Sequence, residues 1–122
     1  MSRSPRSVPS RARRNKVLKQ AKGFRGRRKS NITTANAAVD KSLQHNYIGR
    51  KEKKRNFRAL WIQRINAAAR VNGLSYSRFM SGLKKAGVTL DRKVLAEMAM
   101  TDATSFQKLS EIARTQAAAQ PA

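Results

Sequence analysis

The most restrictive feature of this sequence is an excess of positive charge concentrated in its first half. Residues 1–60 contain 19 lysines and arginines against 2 acidic residues, whereas residues 61–122 contain 9 against 4. The two parts therefore carry net charges of +17 and +5, which make up the +22 of the whole chain. Charge of one sign at this density repels itself in a compact state. The sequence therefore predicts a polyanionic partner, either a nucleic acid or an anionic membrane.

Several classes of protein are excluded by what the sequence lacks. No stretch approaches the roughly 18 consecutive apolar residues of a membrane helix, and no apolar segment follows the N-terminal charges to make a signal peptide. The chain has no cysteine and a single histidine, His45, so it has neither a disulfide framework nor a set of metal ligands. No phosphate-binding glycine loop or catalytic set is recognisable. We expect an intracellular protein that is not an enzyme and that binds no metal and no cofactor.

The N-terminal residues predict an extended tail followed by a short basic helix. Residues 1–10 hold two prolines and four serines with almost nothing apolar, so burial cannot repay the entropy of ordering them. The helix is expected to begin at Arg11 and to end at Gly23, where a left-handed C-terminal cap fits. Its only sizeable apolar residues are Val17 and Leu18. We therefore expect it to fold against something negatively charged.

A single long helix is predicted for residues 31–72, which contain no proline and one glycine, Gly49. That glycine marks a weak point in the helix, and Asn72 with Gly73 is expected to end it. Residues 50–55 hold five basic side chains in about 1.5 turns, so the charge surrounds the helix and no side of it can pack into protein. Apolar residues recur at every fourth position on both sides of this segment. They are Val39, Leu43 and Tyr47, and then Phe57, Trp61, Ile65 and Ala69.

Three short helices are predicted after Gly73, and each has its own capping residue. Ser75 is expected to cap the first, which Gly87 ends; Asp91 caps the second, and Thr101 or Asp102 the third. With the second apolar stripe of the long helix, their apolar faces suffice for a small bundle of roughly 60 residues. Those faces consist of Tyr76, Phe79, Met80 and Leu83, of Val94, Leu95 and Met98, and of Phe106, Leu109, Ile112 and Ala113. The last residues are expected to fray.

RNA is the polyanion that the sequence favours. Many of the basic residues are arginines, whose planar fork fits phosphate with two hydrogen bonds and stacks on bases. A helix that lies on a membrane surface needs an apolar stripe, and residues 11–29 lack one. Nothing predicts paired recognition helices or a dimer seam spaced for a double helix of DNA. RNA rather than DNA is therefore the expected partner.

Two aromatic residues and the histidine have competing interpretations. Trp61 can stack on a base or join a core, and its spacing to Phe57 and Ile65 favours the core. Phe24, in the string GFRGRRKS at residues 23–30, is flanked by flexible glycines and by basic residues. We predict that its only apolar neighbour is RNA, on which it stacks. His45 lies on the long helix, where a solvated or RNA-facing role is favoured over a ligand or a base.

Three strings of the sequence resemble the bacterial-type large-subunit ribosomal proteins of the L-twenty family. They are NFRALWIQRINAAARVNGLSYSRFMSGLKKAGVTLDRKVLA at 56–96, KVLKQAKGFRGRRKS at 16–30 and KSLQHNY at 41–47, so the resemblance spans nearly the whole chain. It implies an all-α fold in which a long basic N-terminal helical extension threads into ribosomal RNA and a small compact helical domain docks on its surface. Family members usually carry a charged Arg-Asp-Arg-Arg string after the tyrosine, where this chain has Ile48 and Gly49.

The resemblance also implies a division of the chain and a set of RNA-binding residues. It makes residues 1–56 an RNA-penetrating extension, with the tail, the short helix and the first part of the long helix. Residues 57–118 become the small helical RNA-binding domain, and 119–122 a frayed tail. By position it assigns RNA contacts to Arg11, Arg13, Arg14, Lys16, Lys19, Lys22, Phe24, Arg25, Arg27, Arg28, Lys29, Arg50, Lys53, Lys54, Arg55, Arg58, Arg64, Asn66, Arg70, Ser75, Tyr76 and Ser77.

The function that these features predict is that of a structural constituent of the large ribosomal subunit. The resemblance implies that the chain binds 23S-type ribosomal RNA directly, supports early subunit assembly and contacts neighbouring ribosomal proteins. No membrane partner and no homo-oligomer are expected. An alternative stays open, a free regulatory RNA-binding protein that represses a messenger such as its own. Because no transit-like segment is evident, we expect a cytoplasmic rather than an organellar ribosome.

Overall fold

The structure, a computed structural model of the chain, describes residues 7–118 and contains no strand within that range. The expected all-α class is confirmed. In chain order the elements are α1 (Ser7–Gln20), a 3₁₀ helix that we call the basic turn (Gly26–Lys29), α2 (Ile32–Val71), α3 (Tyr76–Lys85), α4 (Arg92–Thr101) and α5 (Ala103–Ala118). The chain divides into two compact units, the first at Met1–Glu52 and the second at Lys53–Ala122, and α2 contributes residues to both.

Helix α1 begins earlier than the sequence predicted. The expected extended tail at residues 1–10 is wrong for residues 7–10, which are helical, and the rest of that tail lies outside the described residues. Pro9 is compatible with a helix here because it sits in the first turn, where its missing N–H has no intrahelical partner to lose. The helix ends at Gln20, and Gly23 follows with the left-handed φ of 85° that its predicted capping role requires.

Helix α2 runs without a break from Ile32 to Val71 and passes through Gly49. At its start the side-chain Oδ1 of Asn31 accepts a hydrogen bond from the Thr33 N–H at 3.2 Å. At its end Gly73 has φ 76°, its N–H donates to the carbonyl of Arg70 at 3.0 Å, and the Leu74 N–H donates to that of Ala69 at 2.9 Å. This is a Schellman motif, and it confirms the predicted helix end.

Part of α2 buries no side chain. Every residue from 43 to 60, a segment that we call the exposed stretch, is solvent-exposed. The prediction that no side of the charged segment packs into protein is therefore confirmed. The two predicted apolar stripes, by contrast, include residues that are not buried. Leu43 and Tyr47 are each 55% exposed, and Phe57 is 45% exposed.

The core of the second unit is formed by the end of α2 and by the three short helices. Phe79 and Phe106 are stacked at its centre, with ring centroids 5.0 Å apart, and Trp61 packs against it as predicted. Val94 and Ile112 were predicted to point inward but are exposed, because α4 turns Leu95 inward and α5 buries Phe106 and Ala113 instead. The buried residues of this core are Ile65, Ala69, Leu74, Phe79, Leu83, Leu95, Ala96, Phe106 and Ala113.

Helices α3 and α5 are in close contact at Gly82. A Cβ atom at this position would clash with the backbone of Ala113, so only glycine fits. Ser110, one turn before Ala113, is buried, and its hydroxyl donates to the Phe106 carbonyl at 3.0 Å. The small residues on this seam bring the two helices close enough for the phenylalanine rings to stack.

The three short helices have the capping residues that the sequence predicted. Backbone N–H groups donate to Ser75 Oγ at 3.4 Å, to Asp91 Oδ1 at 2.9 Å and to Asp102 Oδ1 at 3.0 Å. Of the two candidates for α5, Asp102 is therefore the cap. Hydrogen bonds from the side chain and N–H of Ser105, and then from the hydroxyl of Thr104, lower the pKa of Asp102 from 3.8 to about 2.

Candidate nucleic-acid interface

The positive charge of the chain cannot be neutralised within the protein. With 28 basic and 6 acidic side chains, at least 22 basic residues are left without an acidic partner of their own even if every acid is paired. Most of the residues predicted to bind RNA are solvent-exposed. The exceptions, which are half-buried, are Phe24, Arg64, Asn66 and Tyr76. The charge of this protein is therefore carried on its surface and available to a polyanion.

The first unit presents its basic residues on α1 and on the basic turn that follows it. No residue of either element is buried. The predicted RNA-binding residues that these elements and their flanks expose are Arg11, Arg13, Arg14, Lys16, Lys19, Lys22, Arg25, Arg27, Arg28 and Lys29. Three of them, Arg27, Arg28 and Lys29, are consecutive in the basic turn, which concentrates charge on one short loop.

The basic turn is hydrogen-bonded to the start of α2 through one carbonyl group. The carbonyl oxygen of Arg27 accepts hydrogen bonds from the N–H of Ser30 at 3.2 Å, the N–H of Asn31 at 2.8 Å and the hydroxyl of Thr34 at 3.1 Å. Gly26, with φ 61°, supplies the left-handed residue that starts the turn. The turn therefore holds its arginines in a defined place relative to α2 instead of on a flexible linker.

A small apolar cluster beneath the turn corrects the prediction for Phe24. Ala21, Ala35 and Val39 are buried, and Phe24 packs against them together with Val17 and Leu18. The prediction that RNA is the only apolar neighbour of Phe24 is therefore wrong. Gly23 and the basic turn reverse the chain, so that the apolar side of α1 meets the beginning of α2. Two of the three buried residues in this cluster are alanines, which form no recognisable apolar stripe in the sequence.

A groove lies between the basic turn and α2, entirely within the first unit, and we call it the basic groove. One wall carries Phe24, Arg25 and Arg28. The other wall is the face of α2 with Ala38, Lys41, Ser42, His45 and Asn46, and Gly23 also lines the groove. None of the lining residues is acidic. Lys41, Ser42 and Asn46 were not among the predicted site residues, because their convergence with Phe24 depends on the chain reversal.

The exposed stretch carries the next group of predicted residues, which are Arg50, Lys53, Lys54, Arg55 and Arg58. They point to different sides of the helix, since successive residues are turned by about 100°. Beside them the ammonium group of Lys51 lies 4.2 Å from the centre of the Tyr47 ring, a cation–π contact. With Lys51 included, the basic side chains of this segment cover about 200° of the helix circumference, which is more than one face.

The second unit presents a more mixed set of predicted residues. Arg70, Ser75 and Ser77 are exposed, whereas the hydroxyl of Tyr76 accepts a hydrogen bond at 3.0 Å from Arg92 Nε and its ring packs against the core. The sequence did not single out a second groove, between α3 and α5. It is lined by Leu74, Ser77, Arg78, Ser81, Lys85, Arg114, Ala117 and Ala118.

Two structural features are absent from the described part of the chain. Within residues 7–118 no helix combines the length and apolar character needed to cross a bilayer. The same range contains no group of three or more His, Cys, Asp or Glu side chains that could hold a metal ion.

Comparison with known proteins gives a consistent set of relatives. Residues 3–109 match the family model described as "Ribosomal protein L20". A protein of Afipia carboxidovorans named "Large ribosomal subunit protein bL20" is 57% identical over 119 residues, which cover 98% of this chain and 100% of the relative. Proteins of the same name from two strains of Acidithiobacillus ferrooxidans are 56% identical, with the same coverage.

Proposed function

The chain belongs to the ribosomal protein L20 family, and from this premise we propose that it is a structural protein of the large ribosomal subunit that binds ribosomal RNA directly. The proposal extends to a role early in subunit assembly, with large-subunit RNA of the 23S type as the main partner and neighbouring ribosomal proteins as further ones. The ribosomes of a bacterial cytoplasm are the proposed location.

The observation that carries this proposal is the exposed stretch. Eighteen consecutive helical residues, 43 to 60, have no buried side chain. Helices in proteins owe most of their stability to packing of an apolar face, and this segment has no such packing. Its clustered basic residues also repel one another. A surrounding polyanion removes that repulsion and supplies the missing contacts, so RNA suits this segment on all sides.

The mechanism that follows depends on charge and shape. Arginine and lysine side chains around α2 and α1 contact phosphates, which neutralises RNA segments that would otherwise repel one another and lets them approach. Contacts with phosphates fix position and carry no sequence information by themselves. The bound RNA in turn stabilises the helix that it surrounds. The residues proposed to make these contacts are those predicted from the sequence, with Lys41, Arg78, Lys85 and Arg114 added by the two grooves.

A salt titration of RNA binding tests the proposal. The variant with Lys53, Lys54, Arg55 and Arg58 replaced by Gln removes four positive charges from the exposed stretch. The control replaces Lys84, Lys93 and Lys108 by Gln, which removes three positive charges from the short helices of the second unit at positions not proposed to contact RNA. Each lost phosphate contact lowers the slope of log K against log salt concentration by about 0.7–0.9. We expect a decrease of about 3 for the first variant and a smaller one for the control. Equal decreases would contradict a special role for the exposed stretch.

Sedimentation of ribosomes separates this proposal from the regulatory alternative. A structural component stays with the large subunit when the salt concentration is raised, because it is enclosed by RNA. A free repressor of a messenger is bound at the surface, if at all, and washes off. Recovery of the chain in the unbound fraction would therefore favour the regulator.

A further inference from the structure

We propose that the basic groove binds a single unpaired RNA nucleotide, with its base against Phe24 and its phosphate among the basic side chains at the rim. This inference rests on the proposed function, because it specifies which part of an RNA the first unit recognises. It concerns a site that includes residues of α2 for which neither the charge pattern nor the spacing of the sequence predicted a role.

The aromatic wall of the groove is held in place by protein. Phe24 is half-buried, because it packs against the cluster of Ala21, Ala35 and Val39 while it also lines the groove. A ring fixed in this way loses little conformational entropy when a base stacks on it. Base stacking on aromatic side chains is tolerant of sequence, since every base has a π face.

The opposite wall offers hydrogen-bonding groups to the edge of a base. Ser42, His45 and Asn46 lie on one face of α2, at positions i, i+3 and i+4, and together supply hydroxyl, imidazole and amide groups that donate and accept. Ala38, one turn before Ser42, is small and leaves the space between the walls open. The groove therefore pairs a stacking surface with polar groups across from it.

The charged side chains that line the basic groove are all positive. Arg25, Arg28 and Lys41 line the groove, and no acidic side chain does. At Gly23, the direction that a Cβ atom would take has no atom within 4 Å, so a sugar or phosphate can approach the backbone there. This combination of basic groups and an open glycine suits the phosphate of the bound nucleotide.

An unpaired nucleotide fits this arrangement better than double-helical RNA. In a paired A-form helix the bases are stacked on each other and their Watson–Crick edges are occupied. Only a base that has left the helix can both stack on Phe24 and offer its edge to the hydrogen-bonding groups of the opposite wall. Bulges and loops provide such bases.

Three RNA hairpins that differ at one position test the proposal with the full-length chain. One has a single-nucleotide bulge, one has an abasic residue in the same bulge, and one is fully paired. We expect the chain to bind the first about tenfold more tightly than the other two, which corresponds to stacking of one base. Equal affinity for the bulged and abasic hairpins would mean that the base is not bound, and it would overturn the proposal.

A matched pair of variants locates the preference in the groove. Ala38→Phe fills the space between the walls, whereas Ala37→Phe adds the same side chain at a neighbouring exposed position that does not line the groove. We expect the tenfold preference to disappear in the first variant and to persist in the second. Persistence of the preference in Ala38→Phe would overturn the proposal.

Two further substitutions keep the test valid if Ala38→Phe disturbs the first unit. Phe24→Leu preserves apolar packing on the cluster but removes the aromatic face, and His45→Ala removes one polar group of the facing wall. Both are expected to reduce the preference for the bulged hairpin at least threefold, while Gln44→Ala, which lies outside the basic groove, leaves it unchanged. Failure of the wild-type chain to bind any of the hairpins would contradict the proposed function itself. Binding without a preference contradicts only the groove.

Discussion

The two units of this protein differ in what holds them together. The second unit buries nine apolar residues, including two stacked phenylalanines, whereas the cluster of the first unit buries two alanines and one valine. The first unit has 15 basic and 2 acidic residues, a net charge of +13, and the second has 13 and 4, a net charge of +9 in a longer segment. The first unit therefore combines the smaller core with the denser charge.

One chain thus combines two routes to a defined structure. The second unit follows the usual route, in which burial of apolar surface offsets conformational entropy. The first unit is held instead by local hydrogen bonds, such as the three that the Arg27 carbonyl accepts. Its positive charge is complementary to that of a polyanionic partner. We expect the second unit to be stable in the free protein and the first to gain most of its stability from RNA.

The largest effect is expected from truncation of the second unit's core. Phe79→Ala removes a fully buried ring that is stacked on Phe106, and it should lower the free energy of unfolding by about 3–5 kcal/mol. Val39→Ala in the first unit should leave the main unfolding transition unchanged, since that cluster is too small to contribute to it. Urea unfolding followed by tryptophan fluorescence reports on the second unit through Trp61. A comparable loss from Val39→Ala would mean that the two units unfold together.

The two helical glycines provide the next test of the comparison. Gly82→Ala would push a methyl group into the backbone of Ala113, so it should destabilise the second unit by about 1–3 kcal/mol. Gly49→Ala has no atom within 4 Å of the new methyl group and lies in the exposed stretch. It should instead favour the helix by about 1 kcal/mol.

These opposite signs can be measured by circular dichroism. The thermal midpoint should fall for Gly82→Ala, and the helical signal at low temperature should rise for Gly49→Ala. A stabilised Gly82→Ala variant would contradict the close approach of α3 and α5.

Loss of a helix cap should have a smaller effect. Asp91→Ala leaves the N–H of Val94 without the carboxylate that accepts its hydrogen bond at 2.9 Å, so the second unit should lose about 1 kcal/mol. Asp91→Asn keeps an accepting oxygen and should lose less. Chemical unfolding of the three proteins at neutral pH would reveal the order, and an equal loss in both variants would argue against capping.

The smallest predicted effect is a change in the stability of the second unit with pH, caused by Asp102 at the start of α5. The pKa of Asp102 is lowered from 3.8 to about 2, chiefly by the side-chain hydrogen bond from Ser105, so its stabilising contribution is complete above pH 3.8. That contribution disappears as the pH falls towards 2. Asp102→Asn retains a capping oxygen but does not titrate, so its stability should change less with pH over this interval. Identical pH profiles would show that Asp102 does not contribute.

Much of the second unit could be predicted from its sequence because its signals are local. Ser75, Asp91 and Asp102 are caps with a characteristic side chain in a characteristic place, and Gly73 and Gly87 end helices with a positive φ. Family membership and the all-helical class were likewise recognised correctly, and the membership confirms that the chain is not an enzyme. The buried positions were predicted less accurately, because a periodic pattern of apolar residues does not show how wide the buried face of a helix is.

The first unit was harder to predict because its structure depends on a chain reversal. Phe24 was assigned to RNA alone, since the alanines on which it packs carry no recognisable apolar signal. The start of α1 was placed too late, because Pro9 and the serines around it resemble a tail in composition. The basic groove could not be found at all, since Arg28 and His45 are brought to one site only by the basic turn.

Hydrogen exchange of backbone amides, measured for the free chain and for its complex with large-subunit ribosomal RNA, shows whether RNA stabilises the exposed stretch. In the free chain we expect the amides of α3, α4 and α5 to be protected and those of the exposed stretch and α1 to exchange rapidly, since no side chain of either segment is buried. In the complex the exposed stretch should become protected by at least tenfold. Strong protection of residues 43 to 60 in the free chain, or none gained with RNA, would contradict the account.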